Sequence, residues 1–295
     1  MKNSKFIILI LFIGLNESAF SQPYIDLFST QYVSSPDAGV HSANKNPDKT
    51  TYYNIAFNLP FELSNKKTIY LILSPTYESW SINIGTPLTQ LNQTYTVTNK
   101  YTFPSFSLPA GILFQVNKKW KLMCTIISKY NISLNGFEDR QLGGYMLNTI
   151  ERNKNLNLKW GFYYNKEFFG DFFVPLVGID WKINNRNKIF GVLPSRLIYE
   201  HQLSETVYAG GLFETITTSY PGAPETPSNQ TTAVHWYRID DNKVSLYIDY
   251  YPVKKIALRL EMGHSIFRRI RNSLQDFQVN DNIYFRLQAN YRLRF

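Results

Sequence analysis

The sequence predicts an all-β protein: a transmembrane antiparallel up-and-down β-barrel of about twelve strands, with fourteen as the alternative. Three observations carry this. The last thirteen residues alternate, with Ile283, Phe285, Leu287, Ala289, Tyr291, Leu293 and Phe295 on one face. Tyr284 apart, the other face holds Arg286, Gln288, Asn290, Arg292 and Arg294. Strands in soluble proteins average about 5–6 residues, so a run this long suits a membrane-crossing strand with one face to lipid and one to the lumen. Secondly, the same period-two pattern returns in segment after segment, with charges kept off the apolar register. Thirdly, short and long connections alternate, as periplasmic turns and extracellular loops do in outer-membrane barrels.

Taken from the front, residues 1–21 read as a cleavable export signal. Lys2 and Lys5 make a positive start, residues 6–15 are an apolar core, and Ala19-Phe20-Ser21 fits a small-x-small cleavage site. Ten apolar residues are too few for a spanning helix, and no other stretch reaches the ~18 that a helix would need. Residues 22–295 are then one barrel domain, since no break in composition divides them. Without Lys2, Lys5 and Glu17 the formal charge falls from +9 to +8. Those cations sit in turns and at alternate strand positions, not in a basic arm, which speaks against nucleic acid. The 21 Tyr, 21 Phe and 5 Trp suit aromatic girdles at two membrane interfaces. Cys124 stands alone, so no intramolecular disulfide forms, and it lies too far from the cleavage site to carry a lipid.

The strands follow in order. Tyr53, Ile55, Phe57, Leu59 and Phe61 alternate with Asn54, Ala56, Asn58 and Pro60; Ile69, Leu71 and Leu73 oppose Tyr70, Ser74 and Thr76. Phe106, Leu108, Ala110, Ile112, Phe114 and Val116 oppose Ser107, Gly111 and Gln115. Leu156, Leu158, Trp160, Phe162 and Tyr164 oppose Asn157, Lys159, Gly161 and Tyr163, and Val177, Ile179, Trp181 and Ile183 oppose Gly178, Asp180 and Lys182. Val244, Leu246, Ile248 and Tyr250 oppose Ser245, Tyr247 and Asp249; Ile256, Leu258, Leu260, Met262 and Ile266 oppose Arg259, Glu261 and Ser265. An Arg or Lys on the lipid side at mid-membrane costs about 2–4 kcal/mol, which explains the one-sided charge.

Short turns rich in Asn and Lys are expected at 64–67, 117–119, 153–155, 184–187, 203–206 and 252–255. Long loops are expected at 34–49, 82–100, 221–232 and 268–281. Strand number turns on Leu193-Pro194-Ser195, a break because proline cannot donate to a ladder. If 188–192 and 196–202 are separate strands the count is fourteen. If they form a partial crossing it is twelve, the reading favoured here.

The terminal set Leu287, Tyr291, Leu293 and Phe295 looks like the C-terminal signature that the barrel assembly machinery of the bacterial outer membrane recognises. Gly161 through Pro175, Gly178-Ile179-Asp180-Trp181, Leu193-Pro194, Tyr199 and Ala209-Gly210-Gly211 resemble an uncharacterised family of outer-membrane β-barrel proteins of Gram-negative bacteria. The resemblance implies that address and architecture, with outer-membrane lipid and lipopolysaccharide as surroundings. It supplies no activity and no site residues.

The search for chemistry excludes more than it finds. Small outer-membrane lipid hydrolases carry His-x-Ser on one strand, so that base and nucleophile share a face. Here Ser42 and Ser265 directly follow His41 and His264, while Leu203 and Tyr237 stand two places after His201 and His235. No enzyme is expected. Asp240-Asp241-Asn242 reads as a turn or bulge, and no ligand spacing points to a metal or cofactor. Gly143-Gly144 and Gly210-Gly211 lack a strand–glycine–helix context and read as curvature relief or room for a bulky neighbour.

What remains is the lumen. The inward register contains Lys159, Asp180, Lys182, Glu214, Asp249, Arg259, Glu261, Arg286, Gln288 and Arg292. These charges of both signs either line an aqueous pore or lock together. The expected function is a passive channel or uptake pore for small solutes, with a structural or surface-binding barrel as the alternative.

Overall fold

Alternating β-branched and aromatic residues favour extended backbone, because each strand can then cover one face with apolar side chains. The computed structural model describes residues 22–36, 48–66, 68–90, 93–133, 136–222, 234–277 and 279–295. Its barrel has fourteen strands. β1 is Tyr24–Ser35. β2 runs Asp48–Phe57 and, past Asn58, Leu59–Glu62; β3 runs Ile69–Leu73 and, past Ser74-Pro75, Thr76–Gln90. β4 (Gln93–Gln115), β5 (Trp120–Ser133), β6 (Gly136–Asn153), β7 (Leu156–Glu167) and β8 (Gly170–Lys182) follow. Two short strands, β9 (Asn187–Leu193) and β10 (Arg196–Gln202), precede β11 (Val207–Pro221), β12 (Trp236–Val253), β13 (Ile256–Asn272) and β14 (Ile283–Arg294). A two-residue piece, Asp276–Phe277, pairs back onto the end of β13.

Each strand runs antiparallel to its neighbours, and β1 pairs with β14 from Tyr24↔Arg294 to Ser34↔Phe285, which closes the barrel. The favoured count of twelve is therefore corrected to the alternative of fourteen. Pro194 and Ser195 do not fill a partial crossing; they form the tight turn of a genuine hairpin, β9–β10, laddered on both sides to β8 and β11. Two expected loops are corrected as well. Residues 82–90 and 93–100 continue β3 and β4 as a long hairpin, and β13 runs on to Asn272. Within the expected loops at 34–49 and 221–232, residues 37–47 and 223–232 lie outside the described residues. So do residues 1–21, expected to be an export signal, and Lys67.

The outward face is apolar, as lipid demands: Leu246 is 73% exposed, and Val177, Ile126, Phe173 and Leu260 are also among the most exposed hydrophobic residues. On β13 a bulge at Phe267, with φ at 51°, shifts the register between Asp240↔Arg269 and Asn242↔Ile266. Below it the odd residues Arg259, Glu261 and Ser265 are buried; above it the even residues Arg268 and Ile270 are. Asp240-Asp241-Asn242 thus faces a bulge on the neighbouring strand. Past this point the outer face turns polar, with Arg238, Asp240, Arg271 and the Arg269–Asp276 pair.

Fourteen strands about 4.8 Å apart and tilted about 40° enclose a backbone diameter of about 28 Å. Short side chains would leave such a lumen empty. Its filling by long Arg, Glu and Tyr side chains is what defines the site.

Candidate functional site in the barrel lumen

One side of the lumen, formed by β10–β14 and β1–β3, is sealed by side chains stacked in tiers. At the end bearing the short turns, Arg294 donates to both carboxylate oxygens of Glu200 at 2.9 and 2.7 Å and to the Tyr251 hydroxyl at 2.9 Å. Its guanidinium lies 3.6 Å from the Tyr208 ring centre. One tier up, Arg259 grips Asp249 through two bonds of 2.7 and 2.8 Å. Arg292 reaches the same carboxylate at 2.7 Å and spans to Asp26. Arg259 stacks on Tyr247 and Arg292 on Tyr24, at 3.7 and 3.6 Å. The next tier joins Glu261 to Arg286 at 3.2 Å, to the Tyr284 hydroxyl at 2.6 Å and to Ser245 at 3.0 Å. Arg286 also bonds Glu214.

Register explains why these groups meet. Asp249, Arg259 and Gln288 lie side by side across β12–β14, and Tyr247, Glu261 and Arg286 form the row above. Glu261 and Asp249 are 0% exposed, and Arg286 and Arg292 are 1% exposed. Burying ions costs several kcal/mol each unless partners and hydrogen bonds compensate. Here Asp26, Glu200, Asp249 and Glu261 each accept from at least two donor groups. Above the charges sits an aromatic tier: Tyr52 and Trp80 with ring centres 4.5 Å apart, Tyr220, Tyr284, Ile239 and Ile270. Lys243, paired with Asp241 at 3.0 Å, lies 5.3 Å from the Trp80 ring centre. A cavity of about 10 Å³ among Thr50, Trp80, Asp241, Lys243 and Arg268 has room for about one water molecule.

The other side, β4–β8, is different. Its inward positions at mid-height include Met123, Ile127, Tyr145, Leu147, Tyr163 and Val174, all half-buried. An inward residue of a closed barrel can be exposed only to lumen space. Polar groups flank this apolar track: Lys159 and Asp180 pair at 2.7 Å towards the short turns, while Lys129 reaches Glu78 at 2.8 Å near the opposite end. Glycines shape the wall here. A Cβ on Gly161 would lie 1.9 Å from the Met146 carbonyl oxygen, so the wall closes there without a side chain. On the sealed side, Gly210 of β11 leaves space for the Tyr247 ring, 2.7 Å from where its Cβ would stand.

All ten expected inward residues occupy inward positions, but their surroundings differ. Asp249, Arg259, Glu261, Arg286 and Arg292 join the sealed tiers; Lys159 and Asp180 pair with each other. Glu214 is partly exposed beside Arg286, and Gln288 donates to Asn290 at 2.8 Å. Lys182 lies exposed at the mouth. Sequence reading missed Tyr24, Asp26, Glu200, Asp241 and Lys243. A signal existed for the last two, which share the inward register with Ser245, Tyr247 and Asp249. For Glu200 nothing in β10 names its partner Arg294, 94 positions away. His201 contacts Asn187 at 2.7 Å, His264 faces outward, and His41 lies outside the described residues. Among the described residues, no group of His, Cys, Asp and Glu is placed to hold a metal ion.

The sequence matches no protein-family model and no curated relative. Among solved structures the chain is similar to the NanC porin, at 10% identity and a TM-score of 0.39, covering 90% of this chain and 100% of that one. It is also similar to an outer-membrane channel from Pseudomonas putida F1, at 7% identity and a TM-score of 0.49, covering 90% and 94%. A third likeness is to the toluene transporter TbuX of Ralstonia pickettii, at 8% identity and a TM-score of 0.38, covering 94% and 91%. At such values these likenesses assign no solute.

Proposed function

We propose that the protein is a passive channel for small solutes in the outer membrane of a Gram-negative bacterium, and that its path runs off-centre along β4–β8. The observation that carries this is the division of the lumen at mid-height: half-buried apolar inward residues on β4–β8 against Asp249, Arg259, Glu261, Arg286 and Arg292, exposed by 0–2%, on the opposite side. At mid-height, past Leu147 and Tyr145, a solute following this wall meets apolar side chains, with the Lys159–Asp180 pair on one side of them and the Lys129–Glu78 pair on the other. Lipid and lipopolysaccharide surround the apolar belt, and the C-terminal strand addresses the chain to the barrel assembly machinery.

The test is cysteine accessibility during conduction. With Cys124→Ser as background, Leu147→Cys and, separately, Tyr247→Cys are placed in planar bilayers and treated with a charged methanethiosulfonate. The expected result is a conductance block of half or more at position 147 and no change at 247. A block at 247 alone places the path through the sealed side and overturns the reading. The second reading, a structural barrel, is favoured by the locked tiers themselves. Stable insertion with no conductance at all would establish it.

A further inference from the structure

The barrel wall is not laddered all the way up. β9 and β10 have seven residues each, while their neighbours β8 and β11 have thirteen and fifteen. β9 pairs with β8 only at residues 177–182, and β10 pairs with β11 only at 208–214. Above the Pro194-Ser195 turn, after one last bond from the Thr215 N–H to the Ser195 carbonyl at 2.9 Å, no strand among the described residues stands between 170–176 and 216–221. At the base of this gap β8 and β11 are three strand spacings apart, about 14 Å. Proline is confined to strand edges and bulges, and Pro175 stands on this free edge of β8.

Where this free edge reaches the apolar belt, at Phe173 and Val177, it must be covered, because hydrocarbon offers its N–H and C=O groups no partner. Higher up, where Ser219 pairs with Arg238, the outer face is already polar. Here side chains do the covering. The tip of the β7–β8 hairpin folds against β11: Glu167 accepts from the Ser219 N–H at 3.1 Å and from its hydroxyl at 2.5 Å. The Ser219 oxygen accepts in turn from the Phe168 N–H at 2.9 Å and from Gln141 at 3.1 Å. Phe169 packs under the Arg238 guanidinium, 4.0 Å from its ring centre. Thr218, Ser219 and Tyr220 are consecutively buried, so both faces of β11 are covered here, unlike a strand with one face to lipid. The gap is thus closed by overlap, with side-chain bonds in place of a backbone ladder. Its lower rim is apolar and outward-facing, with Phe173, Val177 and Leu193 exposed. Its inner side adjoins the Tyr163 and Val174 end of the apolar track.

We propose that this seam is a lateral gate: the β7–β8 tip parts from β11 and lets an apolar or amphipathic small molecule pass between the β4–β8 track and the outer leaflet. The class follows from the exit, since a molecule leaving sideways enters hydrocarbon, and from the side chains that lead to it. This deepens the channel reading and rests on it.

The test locks the seam. Phe168→Cys and Ser219→Cys are combined with Cys124→Ser, and protein-dependent uptake of N-phenyl-1-naphthylamine is followed in intact cells, whose outer membrane slows this dye. Oxidation is expected to cut the uptake rate at least fivefold, and dithiothreitol to restore it. As a second variant, Glu167→Gln, which keeps the shape and removes the charge, is expected to raise uptake at least twofold. Heat-modifiable gel mobility shows in each case that the barrel is folded. Ion conductance of the unaltered protein is measured in parallel. If ions pass but dye uptake ignores both the lock and Glu167→Gln, the gate is wrong and the channel stands. If neither ions nor dye pass, the channel reading fails and takes the gate with it.

Discussion

Asp249 is the residue on which the sealed side depends most. It is wholly buried and accepts three hydrogen bonds from Arg259 and Arg292. Removing one member of a buried ionic group leaves its partners charged and unpaired, at a cost of about 3–5 kcal/mol. Asp249→Ala is therefore expected to lower stability by about that amount, read by urea unfolding of the refolded protein in lipid vesicles with tryptophan fluorescence. A loss below ~1 kcal/mol would mean that water, not the arginines, solvates this carboxylate. At this scale the sequence was informative about direction and silent about pairing. Alternation puts Asp249 inside, because lipid cannot hold a carboxylate. That it meets Arg292, 43 positions away, follows from closure and register, which no local pattern encodes. Glu200 and Asp26 escaped notice for the same reason.

Among the elements, β14 was the most legible and the β9–β10 hairpin the least. Thirteen alternating residues ending in Phe295 override any competing reading of the last strand. Seven-residue strands around Leu193-Pro194-Ser195 fit a crossing and a hairpin equally well until their partners are known. The bulge at Phe267 was hidden similarly: an inserted residue on β13 is visible only against β12, and it turns Arg268 and Ile270 to the inward face. The aromatic tier was illegible too, since Trp80 and Tyr220 belong to strands far apart in the chain. β14 also carries a prediction. Phe295 lies just past the last pair of the closing ladder, Tyr24↔Arg294, where its N–H donates to the Pro23 carbonyl at 2.9 Å. Deleting it is expected to cut the outer-membrane level in cells at least fivefold while refolding into detergent proceeds with unchanged yield. Loss of both would make Phe295 a structural residue; loss of neither would remove it from the assembly signal.

The two halves of the molecule differ in what they turn towards the lumen: locked, buried ion pairs on one side, half-buried apolar side chains at mid-height on the other. A tube about 28 Å across at the backbone would be a wide pore if its lumen were empty, so the tiers determine what remains. If solutes travel beside β4–β8, the opposite tiers act as filler, and thinning them opens a second route. Glu261→Ala combined with Arg286→Ala tests this, because taking out both members avoids stranding a buried charge, and Glu214, partly exposed, can take up water. The paired variant is expected to raise unitary conductance in planar bilayers at least twofold, with the block at Leu147→Cys becoming incomplete as current finds the new path. A fall in conductance, or altered ion selectivity with no rise, would show that Glu261 and Arg286 already line the conducting route. The off-centre path would then be wrong, and the charged tiers themselves would be the channel.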